Sequence, residues 1–280
     1  MAYTLFDLVY HTLNELGALV ESIATGGSLT TIVDTLRLQS VFEDDHFNLG
    51  TALITRDAAG AGAAPEKEFS RISDFVSSTG TITCAAFTVA PASGDRYALA
   101  TRRFDLDMVI GKINNILREL LVETIDTSLT TAASQLEYSL PTAVLDQSIQ
   151  VWIQGVSTDT DANEWWQCYD WQIEQAAAGT AKKLIFRTQP AYPYALRIHY
   201  WLPHAPLYAA SDKLHESVDI NRVVLDAALM LLKGREADTA NSDPELRAVM
   251  ARLEARKTAI AWRNRHMRAG PKLASWGEID

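Results

Sequence analysis

The chain has 280 residues, of which 48% are hydrophobic and 9% aromatic, with a formal net charge of -10. That is enough apolar material for one large domain or two ordinary ones, and it excludes a chain disordered throughout. The acidic balance excludes a surface that grips nucleic acid all over, yet residues 244–272 carry eight Lys or Arg against Glu245 and Glu254, a local +6 that leaves -16 for the rest.

The opening MAYTLFDLVYHTLNELG has no basic start and holds Asp7 and Glu15 inside its apolar pattern, so it reads as neither a signal peptide nor a membrane span. No later run is long and apolar enough to cross a bilayer, and no membrane partner is expected. Leu5, Leu8, Val9, Leu13, Leu16, Leu19, Val20 and Ile23 recur at helical spacing. They predict an N-terminal amphipathic helix over 1–25, stopped at Gly26-Gly27 and capped by Thr4 with Asp7.

From 26 to 104 the period changes. β-Branched runs at Thr30–Val33, Ala52–Thr55, Thr81–Thr83 and Phe87–Val89, separated by turn residues, predict a first β module, a sandwich or small barrel. Its connection Asp57–Pro65 is small and uncharged after Asp57, and is expected to be mobile or packed against another subunit. A second helix, from about Asp105 to Ile125, is predicted within a linking segment 105–134, with Asp105 and Asp107 at its positive end.

A second β module, rich in Trp and Tyr, is predicted over 135–210, with strands near 148–154, 164–175, 182–187 and 195–202. The region 211–280 then reads as helical. Ile220–Leu232 is apolar nearly all round and predicts a buried helix, and Asn241-Ser242-Asp243-Pro244 opens a long final helix. The predicted architecture is α+β, two β-rich, sandwich-like modules separated by amphipathic helices, with a C-terminal helical pair.

The final helix bears a narrow apolar seam, Leu246, Met250, Leu253, Ile260 and Met267, interrupted by Lys257 and Asn264, and this seam is expected to dock in a groove on a partner protein. Arg247, Arg252, Arg256, Lys257, Arg263, Arg265 and Arg268 line or border it. They are candidates for docking on an acidic partner surface, or for non-specific contact with DNA phosphates. Asp226, alone in the apolar helix, is expected to pair with one of these arginines.

Trp165, Tyr169 and Trp171 would share one face if 164–175 were a single strand. That face could be core, a subunit interface or a sugar-binding platform, since Trp and Tyr suit all three. Asp159-Thr160-Asp161-Ala162-Asn163 copies the first half of a calcium loop, but Glu164 stands where glycine is needed, so it reads as a solvated strand connection. Gly60-Ala61-Gly62 lacks the third glycine of a dinucleotide fingerprint, and Asp44-Asp45-His46 reads as an exposed turn. Cys84 and Cys168 are expected to be buried free thiols in a reducing compartment. No catalytic motif, metal site or cofactor signature is present, and no enzyme activity is expected.

The phrases GGSLTTIVDT (26–35), GTALITRDAAGAGAAPEKEFSRISDFVSSTGTITCAAFTVAPASGDRYALA (50–100) and KKLIFRTQPAYPYALRIHYWLPHAPLYAASDKL (182–214) resemble the head-to-tail connector (adaptor) proteins of tailed bacteriophages. The resemblance implies a virion protein assembled in the host cytoplasm. It implies a ring of identical copies, commonly twelve, beneath the portal protein, bridging it to a tail or nozzle protein and surrounding the path of double-stranded DNA. A carbohydrate-binding virion module acting through the Trp-rich strands is the alternative.

Overall fold

The computed structural model describes residues 2–60, 62–132, 135–140, 149–154, 165–174, 182–188, 195–238 and 244–267. The chain divides into two compact units, one of residues 1–117 with 206–280 and the other of residues 118–205. The fold is α+β, with β-rich modules and helices toward the C-terminal end.

The first unit starts with α1 (Leu5–Glu15), which buries Leu5, Phe6, Leu8, Val9 and Leu13. The Thr4 amide donates to Asp7 Oδ2 at 2.9 Å and the Asp7 amide donates back to Thr4 Oγ1, the expected capping box. The helix is shorter than its apolar spacing suggests. Gly17 has φ +63°, its amide donates to the Asn14 carbonyl and the Ala18 amide to that of Leu13. This paired closure with a left-handed glycine ends a helix at Leu16. Leu19, Val20 and Ile23, expected on the helix, form β1 (Leu19–Ile23) instead, and the apolar period carried across Gly17 is coincidental.

β2 (Gly26–Ser28), β3 (Thr31–Val33), β4 (Thr51–Arg56), β5 (Glu68–Val76), β6 (Thr81–Cys84) and β7 (Arg96–Ala100) follow. The sheet order is β1-β7-β4-β5-β6-β3-β2, all antiparallel. Its two outer strands are consecutive in the chain. Ala24 still bonds to Gly94 and Asp95 beside β7, whereas the Thr25 amide already donates to Val33 of β3 at 2.7 Å. β5 bends likewise, pairing with β4 through Glu68–Arg71 and with β6 through Ile72–Val76. Two bent strands thus curl the sheet into a small barrel around Ile32, Leu38, Phe47, Ile54, Ile72, Phe75, Ile82 and Leu99. Phe87–Val89, expected as a strand, is a bend whose Phe87 plugs this core.

α2 (Leu106–Glu119) starts at Asp105, whose carboxylate accepts from the Asp107 amide at 2.9 Å. It ends earlier than expected. The predicted linking segment 105–134 divides at Glu119, because β-branched Val122, Thr124 and Ile125 pair as a strand, β8 (Leu121–Asp126).

The second unit continues with β9 (Glu137–Ser139), β10 (Gln150–Gln154), β11 (Trp165–Cys168), β12 (Trp171–Glu174), β13 (Lys183–Phe186) and β14 (Leu196–Pro203). One sheet has the order β11-β10-β14-β8 and the other β12-β13-β9. Tyr138, Leu140, Val151, Leu184, Phe186, Leu196, Ile198 and Tyr200 form one core with contributions from both sheets, a sandwich. The single strand expected over 164–175 breaks at Tyr169-Asp170, where the chain passes from one sheet to the other.

The chain then returns to the first unit. Asn114 of α2 exchanges two 2.8 Å bonds with the Leu207 backbone, and Leu5 and Phe6 donate to the Asp212 and Ala210 carbonyls. α3 (Ile220–Asp238) buries Val223, Val224, Leu225, Ala227, Ala228, Leu231 and Leu232, as its all-round apolar sequence predicts. α3 packs against α1 on one side and α4 (Pro244–Met267) on another. The C-terminal helices therefore belong with the N-terminal helix and the barrel in one unit.

Candidate functional site

The basic residues of α4 fall into two groups. Lys257 Nζ lies 2.6 Å from Asp226 Oδ1, so the acid expected to meet an arginine of the last helix meets this lysine. Arg252 donates to the backbone carbonyl of Glu15 at 3.3 Å and Arg256 to its carboxylate at 2.5 Å. Glu15 is the last residue of α1, where carbonyls and helix dipole present negative charge. Lys233 of α3 and Glu254 of α4 add a further pair at 3.1 Å.

These contacts clamp the first half of α4 onto α1 and α3. Leu253 is fully buried and Met250 and Ile260 half-buried. The middle of the apolar seam, expected to need a groove on another protein, is turned to α3 of the same chain. The reason is local: Leu253 is buried, and Lys257, one turn further on, is paired with Asp226 of α3. Arg247 is exposed at the start of α4. Leu246, Arg263, Arg265 and Met267 lie in α4 with side chains outside the described set, and Arg268 lies outside the described residues altogether.

The aromatic residues regroup. Trp165 stands on β11, Tyr169 is 77% exposed in the turn, and Trp171 opens β12 with its side chain packed against the sandwich core. Trp171 Nε1 donates to the Cys168 carbonyl at 2.8 Å, a structural bond. The platform expected from Trp165, Tyr169 and Trp171 therefore does not form.

A different set shares one surface. Register pairs Trp152 of β10 with Arg197 of β14, His199 with Gln150, and Trp201 with Glu123 of β8. Val151, Leu196, Ile198 and Tyr200 point into the core, so Trp152, Arg197, His199, Trp201 and Glu123 point away from it. Trp165, two positions from the Gln167 that pairs with Trp152, joins them. The Arg197 guanidinium lies 4.1 Å from the Trp165 ring centre. Trp152 and His199 have ring centres 6.1 Å apart, and His199 Nδ1 is 2.6 Å from Glu123 Oε1. Trp152 Nε1 and Arg197 Nε are shielded from solvent without a hydrogen-bond acceptor among the described residues. The alternation Arg197, His199, Trp201 against Leu196, Ile198, Tyr200 is a sequence signal for this face; which strands lie beside it is not.

The barrel holds a contrasting polar group. Asp34 is fully buried, and it accepts from Ser22 Oγ (2.6 Å), Tyr97 OH (2.5 Å) and the Leu36 and Arg37 amides (both 2.9 Å). Burial pushes its carboxyl up, but these four bonds outweigh it and hold the group below the ordinary carboxylate value. Burial, and then the bond to Asp34, push the Tyr97 phenol far above its usual range. Gly80 closes the site from below: with φ +63°, a Cβ there would lie 2.2 Å from the Asp34 carbonyl oxygen.

Both cysteines are free; Cys84 is buried and Cys168, expected to be buried, is half-buried. Burial pushes the Cys84 thiol up to about 11 and raises that of Cys168, so neither is poised as a thiolate. Asp44-Asp45-His46 forms a turn, as expected. In the connection Asp57–Pro65, the described residues between buried Asp57 and buried Pro65 are exposed. Asp159–Asn163 lies outside the described residues. Among the described residues no group of three or more His, Cys, Asp or Glu could hold a metal ion, and no helix is long and apolar enough to cross a membrane. No protein-family model matches the chain, and no curated protein matches its sequence.

Proposed function

We propose that the chain is a structural subunit of a tailed-phage virion, a non-enzymatic head-to-tail adaptor that forms a ring with copies of itself between the portal and a tail or nozzle protein. The position in the virion rests on the resemblance of residues 26–35, 50–100 and 182–214. The observation that carries self-assembly is the barrel connection between β3 and β4, where Leu36, Val41 and Leu49 are 86%, 62% and 57% exposed. Exposed apolar side chains gathered on one short segment mark a surface for association.

Charge supports a head-to-tail arrangement. Residues 244–272 are +6 and the remainder -16, which favours a heterologous contact between unlike faces of neighbouring copies, the kind that closes into a ring. Because Arg252, Arg256 and Lys257 serve the chain's own acids, portal docking is assigned to the sequence beyond Lys257, with Arg263, Arg265 and Arg268. Any non-specific contact with passing duplex DNA would fall on the same arginines. Native mass spectrometry of the full chain, with and without portal rings, tests this. Wild type should form rings, and the double variant Leu36→Glu, Val41→Glu should remain folded and monomeric. A wild-type chain that stays monomeric at all concentrations and ignores portal rings overturns the reading.

A further inference from the structure

The outer face of the sheet β11-β10-β14-β8 combines large apolar rings with polar groups in a way that a core or a plain protein interface does not require. Trp165, Trp152 and Trp201 lie on three neighbouring strands, each displaced along the strand direction from the last. From strand spacing and rise, the diagonal they mark is roughly 20 Å long. Arg197 and His199 stand on β14 from the level of Trp152 toward that of Trp201, and Glu123 lies beside Trp201 on β8. Two of these side chains keep N–H groups, Trp152 Nε1 and Arg197 Nε, out of water with no acceptor among the described residues.

We infer that this face is a saccharide-binding site, accepting an oligosaccharide of several rings along the indole diagonal. The inference is separate from the neck reading and does not depend on it. A pyranose offers a C–H face that stacks on indole and a rim of oxygens that accept from N–H donors. That matches a surface where one indole and the guanidinium beside it hold donors that lack an acceptor among the described residues. The Arg197 guanidinium over Trp165 occupies the ring face on which a sugar would stack. A sugar that moves it aside would gain the indole and free Arg197 Nε to donate to a ring or hydroxyl oxygen. Single-stranded nucleic acid also stacks on aromatic rings, but residues 118–205 carry ten acidic against five basic side chains, net -5. A phosphate backbone is disfavoured by that charge, and a neutral or weakly charged glycan is not.

Isothermal titration of the full chain with hexamers of glucose, N-acetylglucosamine and mannose tests the site. At least one hexamer should bind, and Trp152→Ala and Trp201→Ala should each weaken it by about tenfold or more. Trp201→Phe should retain part of the affinity, and Tyr208→Ala, at an exposed position of the other unit, should change nothing. Should an alanine variant lose its melting transition, His199→Ala and Arg197→Met carry the same test without removing an indole. Absence of binding by all three hexamers at millimolar concentration overturns the inference, as does binding indifferent to these substitutions. Loss of self-association in Trp201→Ala without any sugar binding would reassign the face to a contact between copies. Rings that persist in Trp201→Ala while sugar binding is lost would leave the neck reading standing and support the site.

Discussion

Asp34 in the barrel and Arg197 on the sandwich are both charged side chains drawn partly or wholly away from water, and they differ in what their polar atoms meet. Each Asp34 oxygen has two donors, from two side chains and two backbone amides. Arg197 lies against an indole, with its Nε unmatched among the described residues. A buried charge with all its bonds made strengthens a fold, whereas a donor left without an acceptor costs the protein something until a partner arrives. The first is read as architecture and the second as a place for a ligand, although both are polar residues in β structure.

Breaking the satisfied site should have the larger effect. Asp34→Ala strands Ser22, Tyr97 and two amides, and should cost about 3–5 kcal/mol in denaturant unfolding while leaving the sandwich face able to bind its ligand. A cost under about 1 kcal/mol would mean that water replaces the carboxylate without penalty.

Acid should probe the same site reversibly. Asp34 and Asp7 are held below the ordinary carboxylate value: burial raises both, and hydrogen bonds, joined at Asp7 by Lys67, outweigh it. Their folded values lie below the unfolded ones, so the stability they contribute is complete above about pH 4 and is lost as pH falls through the folded values. Melting temperature should drop below about pH 4, with a shallower drop in Asp34→Asn.

The clamp on α4 comes next in size. Glu15→Gln removes the ion pair with Arg256 and should cost about 1 kcal/mol or less, since the pair is partly exposed. Hydrogen exchange should quicken along α4 while the barrel strands keep their protection. Equal quickening everywhere would show that the clamp is not local. The smallest effect is expected at the unsatisfied site, where Arg197→Met should change stability by less than about 1 kcal/mol and still abolish or weaken saccharide binding. A large loss of stability there would place Arg197 with Asp34 as a structural residue.

Much of the fold is written locally. The Thr4–Asp7 cap, the all-round apolar Ile220–Leu232 and the Pro244 helix start each depend on neighbours within a few residues, and each is legible. The end of α1 was legible too, at Gly17, but the apolar spacing through Ile23 masks it because a helix and a half-buried strand can share those positions. Closure of the barrel by the strand pair 19–28 is not legible, since it depends on where β7 and β3 lie. The same holds for the sandwich face. Trp165, Tyr169 and Trp171 are close in sequence and part company at a sheet change, while Trp152, Arg197 and Trp201 come together across strands separated by more than forty residues. Lys257, which breaks the apolar seam, makes sense only once Asp226 is beside it.

The proposed placement of this chain at the junction of head and tail is tested most directly by electron cryo-microscopy of purified particles of the phage proposed to encode it, with the chain tagged at its N-terminus. A ring of tagged subunits against the portal is expected, and truncation after Thr258, which spares the α4 clamp, should release it from the particle. Tag density on the capsid shell or tail tip, or no tag on the particle at all, would contradict the assignment.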